Sequence, residues 1–506
     1  MIRKKMSKTA KTVISLTPIV VLVVMLAVSI GFFGADAISG ASQVCLFSAA
    51  IVCAALGMLV LKKPWADFEK AIKENIGDIT QAIIILFLIG AISGSWTMSG
   101  TIPSLIYYGV HIIHPRIFLL SACVICAVVS LMTGSSWTTI ATIGVALMGI
   151  GKAQGFSDGL IAGAIISGAY FGDKNSPISE TTVMASSVAG TPLFTHIRYM
   201  MYTTVPSFTI CLVLFTILGL TTSTADTAQI SLYSDALSAK FHISPWTLIV
   251  PAITAYMIAK RLDALIVLSV SALLATISAL ILQPHIVSEI GKETLTMFGQ
   301  DGGRGAELFS GSVRMIYDEV SVSTGVADVD ALTSTKGMTG MLNTVFLIIT
   351  TMCFGGCLKG SGMLQHLSSL IIPLARKRVS MVATTVCTGL GLNIVVSDQY
   401  LSIILTSEMF KKVYADNGYE SRLLSRSVED SGTVTSVLIP WNSCGMTQAT
   451  VLSVPTLTYL PYCFFNILSP FMSILMAAIG YKIFRLSPTV PSQPEPEEDV
   501  ADGVSL

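Results

Sequence analysis

Two proline-containing segments place polar side chains inside otherwise apolar sequence. The first is GAYFGDKNSPISETT, residues 168–182, and the second is VTSVLIPWNSCG, residues 434–445. Backbone groups without hydrogen-bond partners are costly in lipid, so an interrupted helix must be buried in protein or line a watery cavity. Gly172, Pro177 and Pro440 are suitable helix breakers. Such breaks free carbonyls that can hold Na⁺ and present helix N-termini to anions.

Two further polar segments interrupt long apolar stretches. TGSSWTT, residues 133–139, lies within the stretch 116–153, and VSDQY, residues 396–400, lies within the stretch 379–410. The ends of each stretch are predicted on one side of the membrane, so each is either a re-entrant hairpin or a pair of full spans. An ionisable residue inside a membrane segment is a functional candidate by default, and Asp398 is the sharpest example here.

The oxygen-bearing side chains of these segments are the candidates for binding an ion or substrate. They are Ser135, Ser136, Thr138, Asp173, Asn175, Ser176, Ser397, Asp398, Glu429, Asp430, Asn442 and Ser443.

Structural roles compete with these functional ones. Asp173 is followed by Lys174, so the two could form a local ion pair that steadies the break. Glu429 and Asp430 lie about one helical turn after Arg426 and could pair with it at the cytoplasmic surface. Both interpretations stay open from the residues alone.

Composition places the chain in the membrane. Of 506 residues, 52% are hydrophobic and 12% are charged, with a mean hydropathy of +0.74. Soluble domains carry about 25% charged residues. The 30 basic and 30 acidic residues balance each other. The sequence has no basic cluster with interleaved aromatic residues that would indicate nucleic-acid binding. The sequence contains no catalytic triad, metal-binding motif or nucleotide-binding loop that would indicate an enzyme. A channel is also disfavoured, because inverted repeats favour alternating access.

Lysine and arginine clusters beside the apolar stretches predict the topology. The prediction is an all-α polytopic protein with about ten spans and two hairpins. The protein is expected in the bacterial inner (plasma) membrane, with both termini in the cytoplasm. Residues 13–34 are too long an apolar stretch for a typical signal peptide, so they are predicted to be a retained first span.

An internal repeat is visible at low similarity. Residues 86–102 align with 348–364 at an offset of 262, and the same offset pairs Ser136 with Asp398. The flanking charges orient the two copies oppositely, and inverted repeats are typical of secondary transporters with a site at the repeat interface. The predicted organisation is two N-terminal spans and a cytoplasmic linker (1–77), repeat 1 (78–220), connecting spans and a long external loop (221–339), repeat 2 (340–485) and a disordered acidic cytoplasmic tail (486–506).

The polar segments resemble those of the NhaC family of Na⁺/H⁺ antiporters, within a larger ion-transporter superfamily. The matching motifs are GAYFGDKNSPISETT with VAGTPLFTHI (188–197), SDQYLSI (397–403) and LSRSVEDSGTVTSVLIPWNSCG (424–445). The resemblance covers roughly residues 10–485. It implies two inverted repeats, each with a re-entrant hairpin and a broken helix, and often a homodimer. It also implies that the hairpin tips and breaks carry the ion, with Na⁺ as the transported or coupling ion and no cofactor. The expected Na⁺ ligands are then Asp398, Asp173 and Asn442, completed by Ser136 and freed carbonyls.

The expected function is Na⁺/H⁺ antiport by alternating access. The alternative is a Na⁺- or H⁺-coupled carrier or exchanger of a small carboxylate such as malate or lactate, or of an amino acid, because the family includes such members. The chain departs from the common antiporter pattern at three positions. Glu180 stands where aspartate is usual, Val183 where asparagine is usual, and Asn175 where an apolar residue is usual. These changes lie in the site-forming stretch and leave the substrate open.

Overall fold

A computed structural model describes residues 7–33, 40–222, 227–260 and 262–486. Residues 487–506 of the predicted acidic tail lie outside the described residues. The helices of the first half are α1 (Lys8–Phe33), α2 (Ala41–Leu59), α3 (Trp65–Asp78), α4 (Thr80–Met98), α5 (Thr101–Ile112), α6 (Phe118–Thr133), α7 (Ser136–Thr139), α8 (Val145–Ala153), α9 (Asp158–Asn175), α10 (Glu180–Ala189), α11 (Leu193–Thr221) and α12 (Thr227–Lys240).

The helices of the second half are α13 (Ile249–Ala259), α14 (Ala264–Leu282), α15 (Pro284–Met297), α16 (Arg304–Tyr317), α17 (Ala327–Leu332), α18 (Leu342–Gly360), α19 (Met363–Ile371), α20 (Arg378–Val395), α21 (Gln399–Asp416), α22 (Ser421–Val428), α23 (Ser443–Leu452), α24 (Thr456–Tyr459) and α25 (Phe464–Ile479). Short 3₁₀ or π segments are Pro115–Ile117, Ile140–Gly144, Pro245–Leu248, Thr339–Met341, Ile372–Leu374, Glu429–Thr433, Ser436–Leu438 and Leu460–Tyr462. The strands β1 (Val320–Ser321) and β2 (Ser334–Thr335) pair antiparallel.

Long apolar helices dominate the part of the chain that is described. Seven are long and apolar enough to cross a membrane, and the number rises to ten if each of three sharply bent pairs counts as one span. One bent pair joins residues 83–98 of α4 to α5 at an angle of 68°. The prediction of an all-α polytopic membrane protein is confirmed.

Two pairs of helical limbs turn back inside the protein. In hairpin 1, α6 turns at Gly134 into α7, a π-helical turn and α8. In hairpin 2, α20 turns at Ser397 into α21. The tip residues Ser136 and Asp398 are each only 1% exposed. Both tips are therefore buried inside the protein.

Two helices are broken beside these tips. Helix α9 ends at Asn175, and α10 begins at Glu180. In the second repeat, α22 continues through π and 3₁₀ turns to Leu438, and helix resumes with α23 at Ser443. Pro177 explains the first break, because the residue before a proline disfavours helical backbone, and Ser176 is extended at φ −80° and ψ 130°.

The first break is shorter than the sequence predicts. Gly172 is a helix breaker by the sequence, but in the structure it is helical within α9. A Cβ atom at this position would lie 2.5 Å from the backbone nitrogen of Leu131, so the glycine lets α9 pack closely on α6. Gly172 is therefore a packing glycine, and the helix ends where the proline requires it.

The segment predicted as a long external loop is mostly structured. Residues 289–336 contain most of α15, all of α16 and α17, and the small β1–β2 sheet. Gly94 of α4 lies directly against the backbone of Met315 in α16, so this unit packs on the first repeat. Its helices are short and carry charged residues, so they lack the apolar length that marks the other helices in the sequence.

The structural equivalence of the repeats differs by one residue from the sequence alignment. Gly134 and Ser397 both have left-handed backbones, at φ 66° and 59°. The following residues, Ser135 and Asp398, both cap a helix N-terminus with their side chains. These pairs differ by 263 in residue number, as do Pro177 with Pro440 and Ser179 with Asn442. The expected pairing of Ser136 with Asp398 is therefore wrong: backbone conformation and capping make Ser135 the equivalent of Asp398.

Candidate ion-binding site

The carboxylate of Asp173 joins the first break to the tip of hairpin 1. Its Oδ2 accepts hydrogen bonds from the backbone N–H of Ser136 at 3.0 Å and from the Ser136 hydroxyl at 2.7 Å. Its Oδ1 accepts one from the Ser179 hydroxyl at 2.6 Å. Asp173 is 6% exposed, and among the described residues no basic side chain forms a salt bridge with it. Its charge is offset by neutral donors alone, which leaves the site suited to a proton or a monovalent cation.

The carboxylate of Asp398 makes the corresponding link in the second repeat. Its Oδ1 accepts the N–H of Leu401 at 3.0 Å, and its Oδ2 accepts the Ser443 hydroxyl at 3.1 Å. The N–H of Ser443 also donates to the carbonyl of Ser397 at 2.9 Å. Each repeat thus ties its hairpin tip to its break through a serine and an aspartate. The acid lies in the last turn of the helix before the break in repeat 1 and on the hairpin tip in repeat 2.

Both breaks leave backbone oxygens free. No N–H of the described residues donates to the carbonyls of Pro177 and Ile178, or to those of Pro440 and Trp441. These are equivalent pairs in the two repeats, since they again differ by 263 in number. The expectation of freed carbonyls is met at both breaks, where they can serve as additional oxygen ligands.

Two cavities adjoin the carboxylates and share part of their walls. A cavity of about 210 Å³ is lined by Asp173, and one of about 230 Å³ is lined by Asp398. Gln81, Glu180 and Tyr400 line both cavities. The Glu180 carboxylate accepts hydrogen bonds from the Gln81 side chain at 3.2 Å and from the Tyr400 hydroxyl at 3.0 Å. Glu180 is exposed, so this shared wall reaches the surface of the protein.

Several predicted candidates have local roles instead. Ser135 accepts a hydrogen bond from the Thr138 N–H at 3.2 Å and lines the smaller cavity, but neither side chain contacts the Asp173 carboxylate by a hydrogen bond. The Asn175 amide donates to the carbonyl of Phe171, one turn earlier in its own helix, at 2.6 Å. The Ser176 hydroxyl is buried without a hydrogen-bond partner. Of the tip residues, Ser136 alone is placed on Asp173.

Asn442 lies beside Asp398 rather than beside Asp173. It caps α23 by accepting the N–H of Cys444 at 3.0 Å, and its Nδ2 donates to the carbonyl of Asn393 at 3.1 Å. Asn393 was not among the candidates from the sequence. Its amide nitrogen also donates to the carbonyl of Gly432 at 2.7 Å, so it ties hairpin 2 to the second broken helix. The signal that could have found it is an asparagine inside an apolar limb.

A buried ion pair joins the two repeats. Lys174 forms a salt bridge with Asp430, and both side chains have zero exposure. The Thr203 hydroxyl also donates to Asp430, at 3.3 Å. The suggested pair of Lys174 with Asp173 is wrong, because adjacent residues on a helix do not face each other. Lys174 instead faces the second repeat, while Asp173 faces hairpin 1.

The neighbouring charges are also buried rather than at the surface. The Arg426 guanidinium lies over the Tyr199 ring at 4.7 Å and forms no salt bridge among the described residues, so its suggested pairing with Glu429 and Asp430 is wrong. Glu429 is fully buried in the π-helical segment. Neither of its oxygens makes a hydrogen bond, although the hydroxyl of Thr433 is a neighbour. The π-helical turn displaces the acids from the face that carries Arg426.

Two repeats that each join a helical hairpin to a broken helix through a buried aspartate define a class of membrane protein. This is the architecture of secondary active transporters, in which discontinuous helices meet at a central site. The chain belongs to the Na⁺/H⁺ antiporter family, whose sequence pattern matches residues 1–191 and 168–481.

Curated proteins that are similar to this chain carry the names of different antiporters. The "Na(+)/H(+) antiporter NhaC" of Alkalihalophilus pseudofirmus is 36% identical and aligns with 83% of this chain and 86% of its own. The "Malate-2H(+)/Na(+)-lactate antiporter" of Bacillus subtilis is 32% identical over 87% and 89%. The "Arginine/ornithine antiporter ArcD" of Halobacterium salinarum is 33% identical over 96% and 95%. All three are antiporters, and they differ in what their names say they carry.

Proposed function

We propose that this chain is a Na⁺/H⁺ antiporter in which the two ions compete for the buried carboxylates Asp173 and Asp398. The observation that carries the proposal is the environment of Asp173, whose charge is met by Ser136 and Ser179 and not by a basic residue. Membership of the Na⁺/H⁺ antiporter family supports the same assignment. As a transporter, the chain is assigned no enzymatic reaction.

Competition follows from the cost of a bare charge. Moving an ionised carboxylate through a low-dielectric interior is strongly unfavourable, so the site changes its exposure only when a proton or Na⁺ neutralises it. A serine hydroxyl that donates to the empty carboxylate also has acceptor lone pairs. When Na⁺ binds, the Ser136 and Ser179 hydroxyls can rotate to offer oxygen to the ion. The carbonyls of Pro177 and Ile178, which no N–H of the described residues engages, are candidates for further ligands.

Exchange of a small organic acid or amino acid is the second candidate. Two observations favour it: relatives carry such names, and the two adjoining cavities, of about 210 and 230 Å³, exceed what a bare ion needs. Gln81, Tyr400 and Thr133 line these cavities with hydrogen-bonding groups. In this case the carboxylates would hold the coupling ion, and the organic solute would occupy the cavities.

Transport in proteoliposomes separates the two candidates. An inward Na⁺ gradient should drive protons outward without any organic solute, as reported by a pH-sensitive dye inside the vesicles. The same vesicles are then supplied with malate, lactate, arginine or ornithine. If protons move only when one of these solutes is present, the organic exchanger replaces the simple antiporter.

The cellular setting is part of the proposal. The basic clusters beside the apolar helices favour a bacterial inner membrane with both termini in the cytoplasm. A homodimer is expected from the family resemblance. Labelling of cysteines introduced near either terminus, from one side of intact cells, tests the orientation. Cross-linking in native membranes tests the dimer.

A further inference from the structure

A long apolar groove lies outside the transport site, between α1, α19 and hairpin 2. Its volume is about 710 Å³. Leu16 of α1 and Leu367 and Leu370 of α19 line one side, and Cys387 and Gly391 of α20 line the other. The groove is independent of the ion site and of the function proposed above.

The groove is longer than the hydrocarbon part of one lipid leaflet. Along α20 its lining extends from Ser380 to Val395. Fifteen helical steps span about 22 Å, at about 1.5 Å per residue. A leaflet contributes about half of the roughly 30 Å hydrocarbon core of a bilayer. One phospholipid acyl chain therefore fits along the groove.

The end of the groove near Ser380 carries positive charge. Arg376 and Lys377 immediately precede α20, and both are exposed. Within the described ranges, neither forms a salt bridge. Basic residues at the end of an apolar groove are suited to an anionic headgroup.

We propose that the groove binds an anionic phospholipid, with one acyl chain in the groove and the phosphate at Arg376 and Lys377. Charge complementarity at the rim selects an anionic lipid over a zwitterionic one. The occupied groove links α1 and α19 to hairpin 2, whose tip carries Asp398. Bound lipid thereby stabilises the packing of this hairpin against the N-terminal helix.

Native mass spectrometry of the purified full chain in detergent tests the proposal, with phosphatidylglycerol and phosphatidylcholine as probes. The wild type should retain phosphatidylglycerol preferentially. Arg376→Gln and Lys377→Gln should each lower its retention about fivefold, the value of one basic residue at a membrane surface, and leave phosphatidylcholine unchanged. Equal retention of both lipids by the wild type would refute a specific anionic site.

Filling the groove is the second arm. A Cβ atom at Gly391 meets nothing within 4 Å, so Gly391→Phe can place its ring in the groove without a backbone clash. This variant should lose both lipids. Gly31→Phe is the matched control, because Gly31 is exposed and its Cβ position is also open. Wild-type retention of phosphatidylglycerol by Gly391→Phe would overturn the proposal.

Cys387 offers a measurement on the wild-type groove. It is exposed and lines the groove, whereas the other cysteines are buried or partly buried. Added phosphatidylglycerol should slow maleimide labelling of Cys387 in the wild type, with Cys387→Ser as the blank. If oxidation instead cross-links Cys387 between two chains whether or not lipid is added, the groove is a protein interface and the lipid proposal is wrong.

Discussion

The buried salt bridge between Lys174 and Asp430 allows a quantitative test of the packing between the repeats. Both side chains have zero exposure, so removing one partner leaves an uncompensated charge inside the protein. The expected loss is about 3–5 kcal/mol for Lys174→Met and a similar amount for Asp430→Asn. Thr203 softens the second change slightly, because its hydroxyl can donate to the carbonyl of Met200 at 3.0 Å instead.

The double variant gives the decisive value. Lys174→Met with Asp430→Asn removes both charges and leaves a neutral amide, whose incomplete hydrogen bonding costs about 1–3 kcal/mol. Simple addition of the two single effects predicts a loss of about 6–10 kcal/mol. The double variant should therefore be more stable than either single variant, with a coupling energy of at least about 3 kcal/mol.

The assay is unfolding by SDS titration in mixed micelles, followed by far-UV circular dichroism. A matched control is the pair of Lys73 and Glu69, whose side chains are 74% and 48% exposed and 2.6 Å apart. Breaking that pair should cost no more than about 0.5 kcal/mol, because exposed ion pairs contribute little. If the buried and exposed pairs behave alike, or if the buried double variant loses the sum of its single effects, the reasoning is wrong.

The remaining predictions concern the ion site. Asp398→Asn should abolish Na⁺-driven proton movement in proteoliposomes while Asp398→Glu retains part of it with a shifted pH profile; unchanged exchange by the asparagine variant would remove this residue from the mechanism. Ser136→Ala removes the hydroxyl that donates to Asp173 but keeps the backbone donor. It should therefore raise the Na⁺ concentration for half-maximal exchange several-fold and leave thermal stability nearly unchanged. A wild-type Na⁺ dependence would exclude the hydroxyl as a ligand. Gly134→Ala introduces a Cβ atom into left-handed backbone, only 2.9 Å from the backbone of Ile178. It should therefore destabilise the hairpin tip by about 1–2 kcal/mol or more, as measured by SDS titration. A neutral effect would show that the tip relaxes freely.

Much of the fold was predictable because its determinants are local. Apolar length marks the spans, since lipid excludes unsatisfied backbone, and Pro177 and Pro440 mark the breaks. The serine and aspartate tips of the hairpins were likewise evident from polar residues in apolar stretches. The segment 289–336 was misjudged because its helices pack on the rest of the protein without being long or strongly apolar.

The partners of the charged residues were decided by tertiary structure. The sequence placed Lys174 next to Asp173, but the helix directs them to different neighbours, hairpin 1 for the acid and Asp430 for the lysine. The sequence alone also could not show that Glu180 and Tyr400, 220 residues apart, share a hydrogen bond between the two cavities.

The amino-acid sequence by itself therefore determined that this is a helical membrane protein with two polar hairpins and two broken helices. The reason is that the cost of unsatisfied backbone in lipid and the geometry of proline act within each segment separately. Which oxygen meets which carboxylate, and which cation meets which acid, was decided only by the packing of the two repeats. Those contacts depend on the rotation of each helix about its axis and on one-residue shifts in register, and neither quantity is encoded within a single segment.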